Sequence, residues 1–162
     1  MSIDRRQRKP PPLKARAVAL LARREYSRAE LRAKLAAGDR TVEGLAAIDA
    51  VLDELAAQGY VSDARFATAV VGQKSGRYSK RAIAAALKAS GVAGDTAAEA
   101  LAGSEVDDHD AMVVLWRRRF GKAPTSDREK ARQVRFLQSR GFSLSAILKL
   151  LRDPPADGAP TT

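Results

Sequence analysis

Apolar residues recur along this chain at intervals of three and four, the spacing of one face of an α-helix. Three segments show it most clearly: Ile48-Val51-Leu52-Leu55, Met112-Trp116-Phe120 and Leu144-Leu148-Leu151. Strict two-residue alternation, which would indicate half-buried strands, is nearly absent. Residues 13–123 contain no proline, and 32 of the 162 residues are alanine, the strongest helix former. The pattern therefore predicts an all-α fold.

Helix start and stop signals divide the chain into short helices. Ser27, Ser79 and Ser143 are placed to cap helix N-termini, and a glycine follows several of the segments. Nine helices are predicted, at about 13–25, 27–37, 42–58, 63–74, 79–90, 95–102, 107–120, 127–140 and 143–152. Proline-rich residues 1–12 are expected to be a disordered basic arm and residues 154–162 a disordered tail, which leaves residues 13–153 as a single helical domain.

The chain also repeats itself. Three segments share an aromatic residue, a serine and two aliphatic residues one helical turn apart: Tyr26-Ser27-x-x-x-Leu31-x-x-x-Leu35, Tyr78-Ser79-x-x-x-Ile83-x-x-x-Leu87 and Phe142-Ser143-x-x-x-Ile147-x-x-x-Leu151. An overlapping pattern places Tyr60, Val92 and Phe142 at matching positions, each directly after a glycine. Self-similarity of this kind indicates helical modules stacked in a row. We expect an elongated array of three tandem three-helix repeats, at about 13–60, 61–104 and 105–153.

Charge is unevenly distributed along the chain. The 29 basic and 19 acidic residues give a formal net charge of +10. Residues 72–90 carry five basic residues and no acid, residues 111–152 carry eleven against two acids, and residues 91–110 carry six acids and no base. Such blocks suit an anionic partner, although a solvated basic face is the simpler alternative. The predicted contact residues, here called the basic stripe, are Arg77, Lys80, Arg81, Lys88, Arg117, Arg118, Arg119, Lys130, Arg132, Arg135 and Arg140.

Catalytic and metal-binding motifs are missing from the sequence. The chain has no cysteine and one histidine, which excludes disulfides, thiolate zinc sites and a cysteine nucleophile. Asp107-Asp108-His109-Asp110 could suggest a metal site, but acids at a predicted helix start are better explained by the helix dipole. No phosphate-binding glycine loop or hydrolase motif is found. We therefore predict a non-enzyme without cofactor or metal.

The segment Trp116-Arg117-Arg118-Arg119-Phe120 mixes aromatic and guanidinium groups. The aromatic residues could stack on bases, as in single-strand binders. Their helical spacing with Met112 instead favours packing in the core, which leaves at least two of the arginines exposed for binding. The first residues contain no apolar signal-peptide core, and the nearest apolar run, Ala17 to Ala22, is far shorter than the ~20 residues of a membrane span, so we expect a cytoplasmic protein.

Several segments resemble the RecX family of bacterial regulatory proteins, over about residues 13–152. They are Tyr26-Ser27-Arg-Ala-Glu30-Leu31-Arg-Ala-Lys-Leu35, Val51-Leu52-Asp-Glu-Leu55-Ala-Ala-Gln-Gly59-Tyr60-Val61-Ser62-Asp63-Ala-Arg65-Phe66-Ala67 and Arg135-Phe136-Leu137-Gln-Ser-Arg140-Gly141-Phe142-Ser143. Ser139 and the segment Ser75-Gly76-Arg77-Tyr78 depart from the usual family pattern. The resemblance implies tandem three-helix repeats in a protein that lies in the groove of the filament formed by RecA on single-stranded DNA. It also implies inhibition of strand exchange, ATP hydrolysis and co-protease activity, and hence modulation of DNA repair, recombination and the SOS response.

Two other functions fit the same charges. The chain could be a DNA-binding module that acts without RecA, for which steep salt dependence would be diagnostic. It could also be a helical scaffold for another acidic protein. No heptad seam is seen, so we expect a monomer.

Overall fold

The computed structural model describes residues 10–156, which form nine α-helices and no β-strand. The helices are α1 (Leu13–Leu21), α2 (Arg28–Leu35), α3 (Val42–Ala57), α4 (Asp63–Lys74), α5 (Lys80–Ala89), α6 (Gly94–Ala102), α7 (Asp108–Arg119), α8 (Asp127–Ser139) and α9 (Leu144–Arg152). Each corresponds to a predicted helix, so the all-α prediction is confirmed. Most of the predicted N-terminal arm and C-terminal tail, residues 1–9 and 157–162, lies outside the described residues.

Local capping explains where the helices begin and end. The hydroxyl oxygens of Ser27, Ser79 and Ser143 each accept a hydrogen bond from the backbone N–H three residues later, at 3.0, 3.1 and 3.2 Å. Gly59, Gly91 and Gly141 have positive φ angles after their helices, as predicted. These bonds satisfy backbone groups that a helix end otherwise leaves unpaired.

One boundary differs clearly from the prediction. Helix α1 ends at Leu21 rather than near residue 25, although strong helix formers continue beyond it. The guanidinium of Arg24 lies 3.7 Å from the ring centroid of Tyr26, and Tyr26 itself is buried. Because Tyr26 enters the core and Ser27 caps α2, the chain must leave the helix earlier than local propensity suggests.

The described residues divide into two compact units, and the boundary falls within α4, between Phe66 and Ala67. In the first unit, α1, α2 and α3 pack around one apolar core: Ala17, Tyr26, Leu31, Leu35, Ala36, Ile48, Leu52, Leu55 and Val61. The second unit holds the rest of α4 and helices α5 to α9. Its largest core lies within α7, α8 and α9: Ala111, Met112, Val113, Trp116, Leu137, Phe142, Ile147, Leu150 and Leu151.

Trp116 and Phe120 occupy different environments. Trp116 is 3% exposed, and its indole N–H donates to Gln133 Oε1 at 2.8 Å. Gln133 in turn donates from Nε2 to the carbonyl of Lys122 at 3.1 Å, which ties α7, α8 and their connection together. Phe120 is half-buried against the same core. The core interpretation is therefore confirmed for Trp116 and holds in part for Phe120.

Tyr60 does not follow the repeat. Its backbone N–H donates to the carbonyl five residues earlier, as those of Val92 and Phe142 do, but its side chain is 53% exposed while theirs are buried. The cap of α4, Ser62, follows its glycine by three residues, whereas the caps of α6 and α9 follow by two. This extra residue turns Tyr60 outward, and Val61 takes the buried place.

Candidate functional site

The first turn of α5 lies against the turn between α8 and α9. The backbone N–H of Ser79 donates to the carbonyl of Arg140 at 2.9 Å, and the Ser79 hydroxyl donates to the carbonyl of Gly141 at 2.8 Å. A Cβ atom on Gly141 would collide with Ser79 and Ala82. Glycine is therefore required here both for its φ of +90° and for the close approach of α5. This contact brings Arg81 and Arg140, from different modules, to the same turn, where Arg81 Nη2 donates to the Gly141 carbonyl at 3.3 Å.

The aspartates considered above as metal ligands have structural partners. Asp107 is the N-cap of α7 and accepts from the backbone N–H of His109 at 2.8 Å. Asp108 Oδ1 accepts from the backbone N–H of Lys80 at 2.8 Å, so it links the start of α7 to the start of α5. The first unit contains the same joint, in which Asp63 Oδ1 accepts from the backbone N–H of Arg28 at 2.8 Å.

Aromatic rings hold several of the cations in place. The guanidinium carbon of Arg140 lies 4.9 Å from the Tyr78 ring centroid and 5.3 Å from that of Phe136. The guanidinium carbon of Arg119 lies 5.9 Å from the Phe136 centroid. Phe136 also meets Phe120 edge to face, with centroids 5.5 Å apart. Guanidinium groups held on ring faces keep their N–H edges available to an anion and lose less rotamer freedom when they bind one.

Two neighbouring recesses result from this packing. The first, which we call the arginine recess, has a volume of about 430 Å³ and is lined by Leu115, Arg118, Arg119, Phe136 and Arg140. The second has a volume of about 420 Å³, and its lining includes Arg119, Phe120, Lys122, Glu129 and Arg132. Arg119 lines both, so the two recesses adjoin. Four residues of the predicted basic stripe thus converge on one surface of α7 and α8.

The remaining residues of the basic stripe are more dispersed. Arg77, Lys88, Lys130 and Arg135 are exposed and line neither recess. The ammonium group of Lys80 lies 3.5 Å from the carbonyl of Ser104, and Arg117 is half-buried with Nη2 donating to the carbonyl of Ala156 at 3.3 Å. The Lys80 and Arg117 side chains are therefore engaged by backbone carbonyls of the protein itself.

Sequence reasoning missed three residues of this surface. The Lys74 ammonium lies 4.6 Å from the Tyr78 ring, Lys122 lines the second recess, and Phe136 forms the aromatic wall between the arginines. The four-residue spacing of Lys74 and Tyr78 was a detectable signal. The position of Phe136 was not detectable, because it depends on how α7 packs against α8.

The stripe differs from the first unit in its ion pairing. Arg117 aside, the side-chain ion pairs between residues 10–156 lie in the first unit. Arg117 aside, no cation of the stripe has a carboxylate oxygen within 4.0 Å in that range. Glu129 beside the second recess accepts from the backbone N–H and hydroxyl of Thr125, and these bonds lower the pKa of its carboxyl. The positive field is therefore least compensated at the arginine recess, whereas the Glu129 carboxylate partly offsets the charge of Arg132 at the second recess.

Comparison with known proteins agrees with the architecture. The family model described as RecX, second three-helix domain, matches residues 62–101, and that for the third three-helix domain matches residues 105–151. The regulatory protein RecX of Leptothrix cholodnii is 44% identical over 142 residues, covering 86% of this chain and 87% of its own. That of Chromobacterium violaceum is 43% identical over 139 residues, covering 86% and 88%.

A solved structure shows the same fold. The crystal structure of RecX from Lactobacillus salivarius superposes with a TM-score of 0.65 at 18% identity, over 87% of this chain and 93% of that one. Fold and surface together define an all-helical protein of three-helix modules that presents arginines supported by aromatic rings. Its curated relatives are named regulatory proteins rather than enzymes. The chain belongs to the RecX family. Among the described residues, no helix has the length and apolar character that crossing a bilayer requires.

Proposed function

We propose that this protein binds the filament of RecA on single-stranded DNA and inhibits its ATPase, strand-exchange and co-protease activities. It would thereby modulate DNA repair, recombination and the SOS response, acting as a monomer in the cytoplasm. Family membership supports this proposal, together with one structural observation. The arginine recess joins three guanidinium groups to an aromatic wall, and none of the three has a carboxylate within 4.0 Å among residues 10–156.

Electrostatics and chemistry both suit such a partner. A nucleoprotein filament presents a repeating anionic surface, and an uncompensated basic surface raises the rate and specificity of association with it. Guanidinium groups bind phosphate and carboxylate oxygens with paired hydrogen bonds, so the same recess can engage either component of the filament. The ring contacts of Arg119 and Arg140 reduce the entropy lost on binding.

The direct test is ATP hydrolysis by RecA on single-stranded DNA, measured while the protein is titrated in. Inhibition well below one protein per RecA subunit is expected, because a protein that caps the filament or lies in its groove affects many subunits. Unchanged hydrolysis at large excess would reject the proposal.

A charge-reversal variant tests the basic stripe as the contact surface. R81E/R132E/R135E changes three exposed residues of the stripe and should abolish most of the inhibition. The matched control R40E/R128E/K149E makes the same change in net charge at exposed residues outside the stripe, and it should inhibit normally. Full inhibition by a folded triple variant would show that the stripe is not the contact surface.

Binding to bare DNA is the second candidate function, and the half-buried Phe136 ring that lines the recess with three arginines favours it. Aromatic faces in a basic groove are the usual means of holding single strands. Affinity for bare DNA should then fall with salt at a slope of about −0.7 per phosphate contacted. Tight binding to RecA-coated DNA, with weak binding to bare DNA at physiological salt, would reject this alternative.

A further inference from the structure

The first unit contains a second cationic surface, of a different kind, that the basic stripe does not include. A groove of about 510 Å³ lies between α1 and the end of α2. Ala15, Ala19 and Leu20 line it from α1, and the side chains of Arg16, Arg23 and Lys34 also line it. Ala15 and Ala19 lie four residues apart on one face of α1, and Arg23 lines the groove from the turn that follows the helix. We refer to this surface as the α1–α2 groove.

Ion pairing in the first unit singles out this groove. Five cations of the first unit have a carboxylate oxygen within 4.0 Å. The pairs are Lys14 with Glu54, Arg24 with Glu30, Arg28 with Asp53, Arg32 with Asp49 and Arg65 with Glu25. Four others in residues 10–66 have no such partner among the described residues, namely Arg16, Arg23, Lys34 and Arg40. Three of these four line the α1–α2 groove. Its cations are therefore available, whereas those elsewhere in the unit are mostly neutralised.

Helix-end stabilisation explains only part of this arrangement. Arg16 Nη2 lies 3.5 Å from the carbonyl of Leu35, the last residue of α2, where a cation is favourable. Arg23 and Lys34 are both exposed. The Lys34 ammonium lies 5.8 Å from the Tyr26 ring, and within residues 10–156 no ion pair holds either side chain. Their position beside an alanine-lined floor is consistent with binding rather than with stability alone.

The lining chemistry distinguishes the possible partners. The floor is made of small aliphatic side chains, with no aromatic ring on which a base could stack, unlike the arginine recess with Phe136. Short alanine side chains let a helix approach closely, and apolar residues of that helix can fill the groove. Cations along the groove would then meet carboxylates on the same helix.

We propose that the α1–α2 groove binds an acidic amphipathic peptide segment of a protein partner. Apolar residues of the segment, spaced three and four apart, lie on Ala15, Ala19 and Leu20, and flanking carboxylates pair with Arg16, Arg23 and Lys34. This docking surface shares no residue with the stripe, and the proposal does not depend on RecA being the partner.

The test uses the full chain and a fluorescent synthetic helix of leucine and glutamate, with leucines at three- and four-residue spacing. Anisotropy titrations compare it with the same peptide carrying glutamine for glutamate, with polyglutamate and with oligothymidylate. The leucine–glutamate peptide should bind, and both control peptides should bind at least about tenfold more weakly, since each lacks one half of the recognition.

Two variants locate the binding. R23E/K34E should weaken the peptide complex by about tenfold or more, through loss of attraction and added repulsion. A19E leaves the three cations in place but puts a carboxylate on the floor, four residues before Arg23, where it obstructs the apolar contact and competes for that guanidinium. It should weaken binding similarly, and a thermal melt checks that the variant is folded, because a carboxylate in the last turn of α1 opposes the helix dipole. The matched control R40E/R128E, with the same charge change as R23E/K34E, should bind normally.

Three results would overturn the proposal. No binding of the leucine–glutamate peptide at millimolar concentration would show that the groove is not a docking site. If R40E/R128E weakened the peptide complex as much as R23E/K34E does, general charge attraction would explain the binding. If oligothymidylate displaced the peptide from the parent protein, and A19E no longer bound oligothymidylate, the groove would be assigned to nucleic acid instead. Inhibition of RecA is not part of this assay, so the two proposals fail independently.

Discussion

The backbone N–H of Lys80 donates to Asp108 Oδ1 at 2.8 Å, and through this bond the second helix of one module is fixed to the first helix of the next. The Arg28 N–H and Asp63 repeat the relationship at the same distance. A carboxylate at a helix start thus satisfies an N–H at the start of another helix, where no intrahelical acceptor exists. This joint sets the position of α5, and hence of Arg81, relative to α7.

Removing the joint should destabilise the second unit. D108A leaves the Lys80 N–H without its acceptor and should lower the free energy of unfolding by about 1–2 kcal/mol in urea titrations. D108N, whose amide oxygen can still accept, should recover most of the loss. D110A removes a carboxylate from the same turn without affecting the Lys80 N–H, and it should cost less than D108A. Equal losses for D108A and D110A would attribute the effect to the helix dipole.

Gly141 should tolerate alanine much less than Gly59 does. Both have positive φ angles, +90° and +77°, so alanine should cost each about 1–2 kcal/mol of backbone strain. Nothing lies within 4 Å of a Cβ at Gly59, whereas at Gly141 it would meet Ser79 and Ala82. G141A should therefore lower the melting temperature more than G59A, and it should also weaken the proposed binding to the RecA filament by moving Arg81 away from the turn between α8 and α9. Identical melting temperatures would contradict the close packing of α5 on this turn.

The buried pair of Trp116 and Gln133 should behave as a coupled unit. Q133L leaves the indole N–H buried without an acceptor and should cost about 1–3 kcal/mol. W116F/Q133L removes both polar groups, so it should be more stable than the sum of the single losses predicts. Urea unfolding of the two single variants and the double variant measures the coupling energy. Strict additivity would mean that the hydrogen bond contributes nothing beyond packing.

The free energy of unfolding of the first unit should depend on pH. Hydrogen bonds from Arg32 at 2.7 and 3.0 Å lower the pKa of the Asp49 carboxyl, and a hydrogen bond from Lys14 lowers that of Glu54. Because these pKa values are lower in the folded state, the stabilisation is complete above the unfolded values of about 3.9 and 4.3 and is lost as the pH falls below them.

Thermal melts between about pH 7 and pH 3 should show this loss. D49N removes one of the titrating groups, so its melting temperature should depend less on pH than that of the parent. Because the pairs are exposed, added salt should also flatten the profile. A D49N profile parallel to the parent profile would show that the Arg32 contact does not contribute to acid sensitivity.

Much of the fold was predictable because its signals are local. The Ser79 hydroxyl is close in sequence to the N–H that it caps, and Gly141 ends α8 through its own φ angle. The end of α1 was not predictable, because burial of Tyr26 overrides the helix propensity of residues 22–25. The exposure of the Tyr60 side chain was not predictable for a related reason. One extra residue in the connection reverses which side chain faces the core, and sequence similarity alone does not show this.

The candidate site was predictable in composition but not in geometry. Sequence by itself determined that the chain is all-helical, that it is built of repeated modules, that its cations are concentrated in the last two modules and that it resembles the RecX family. Tertiary structure alone decided that Arg118, Arg119 and Arg140 line one recess with Phe136, and that Arg23 and Lys34 lie on one groove. Caps and helix periodicity act within a few residues, so they can be read along the chain. The convergence of side chains from α7 and α8 depends on how two helices pack, and no local pattern encodes that angle.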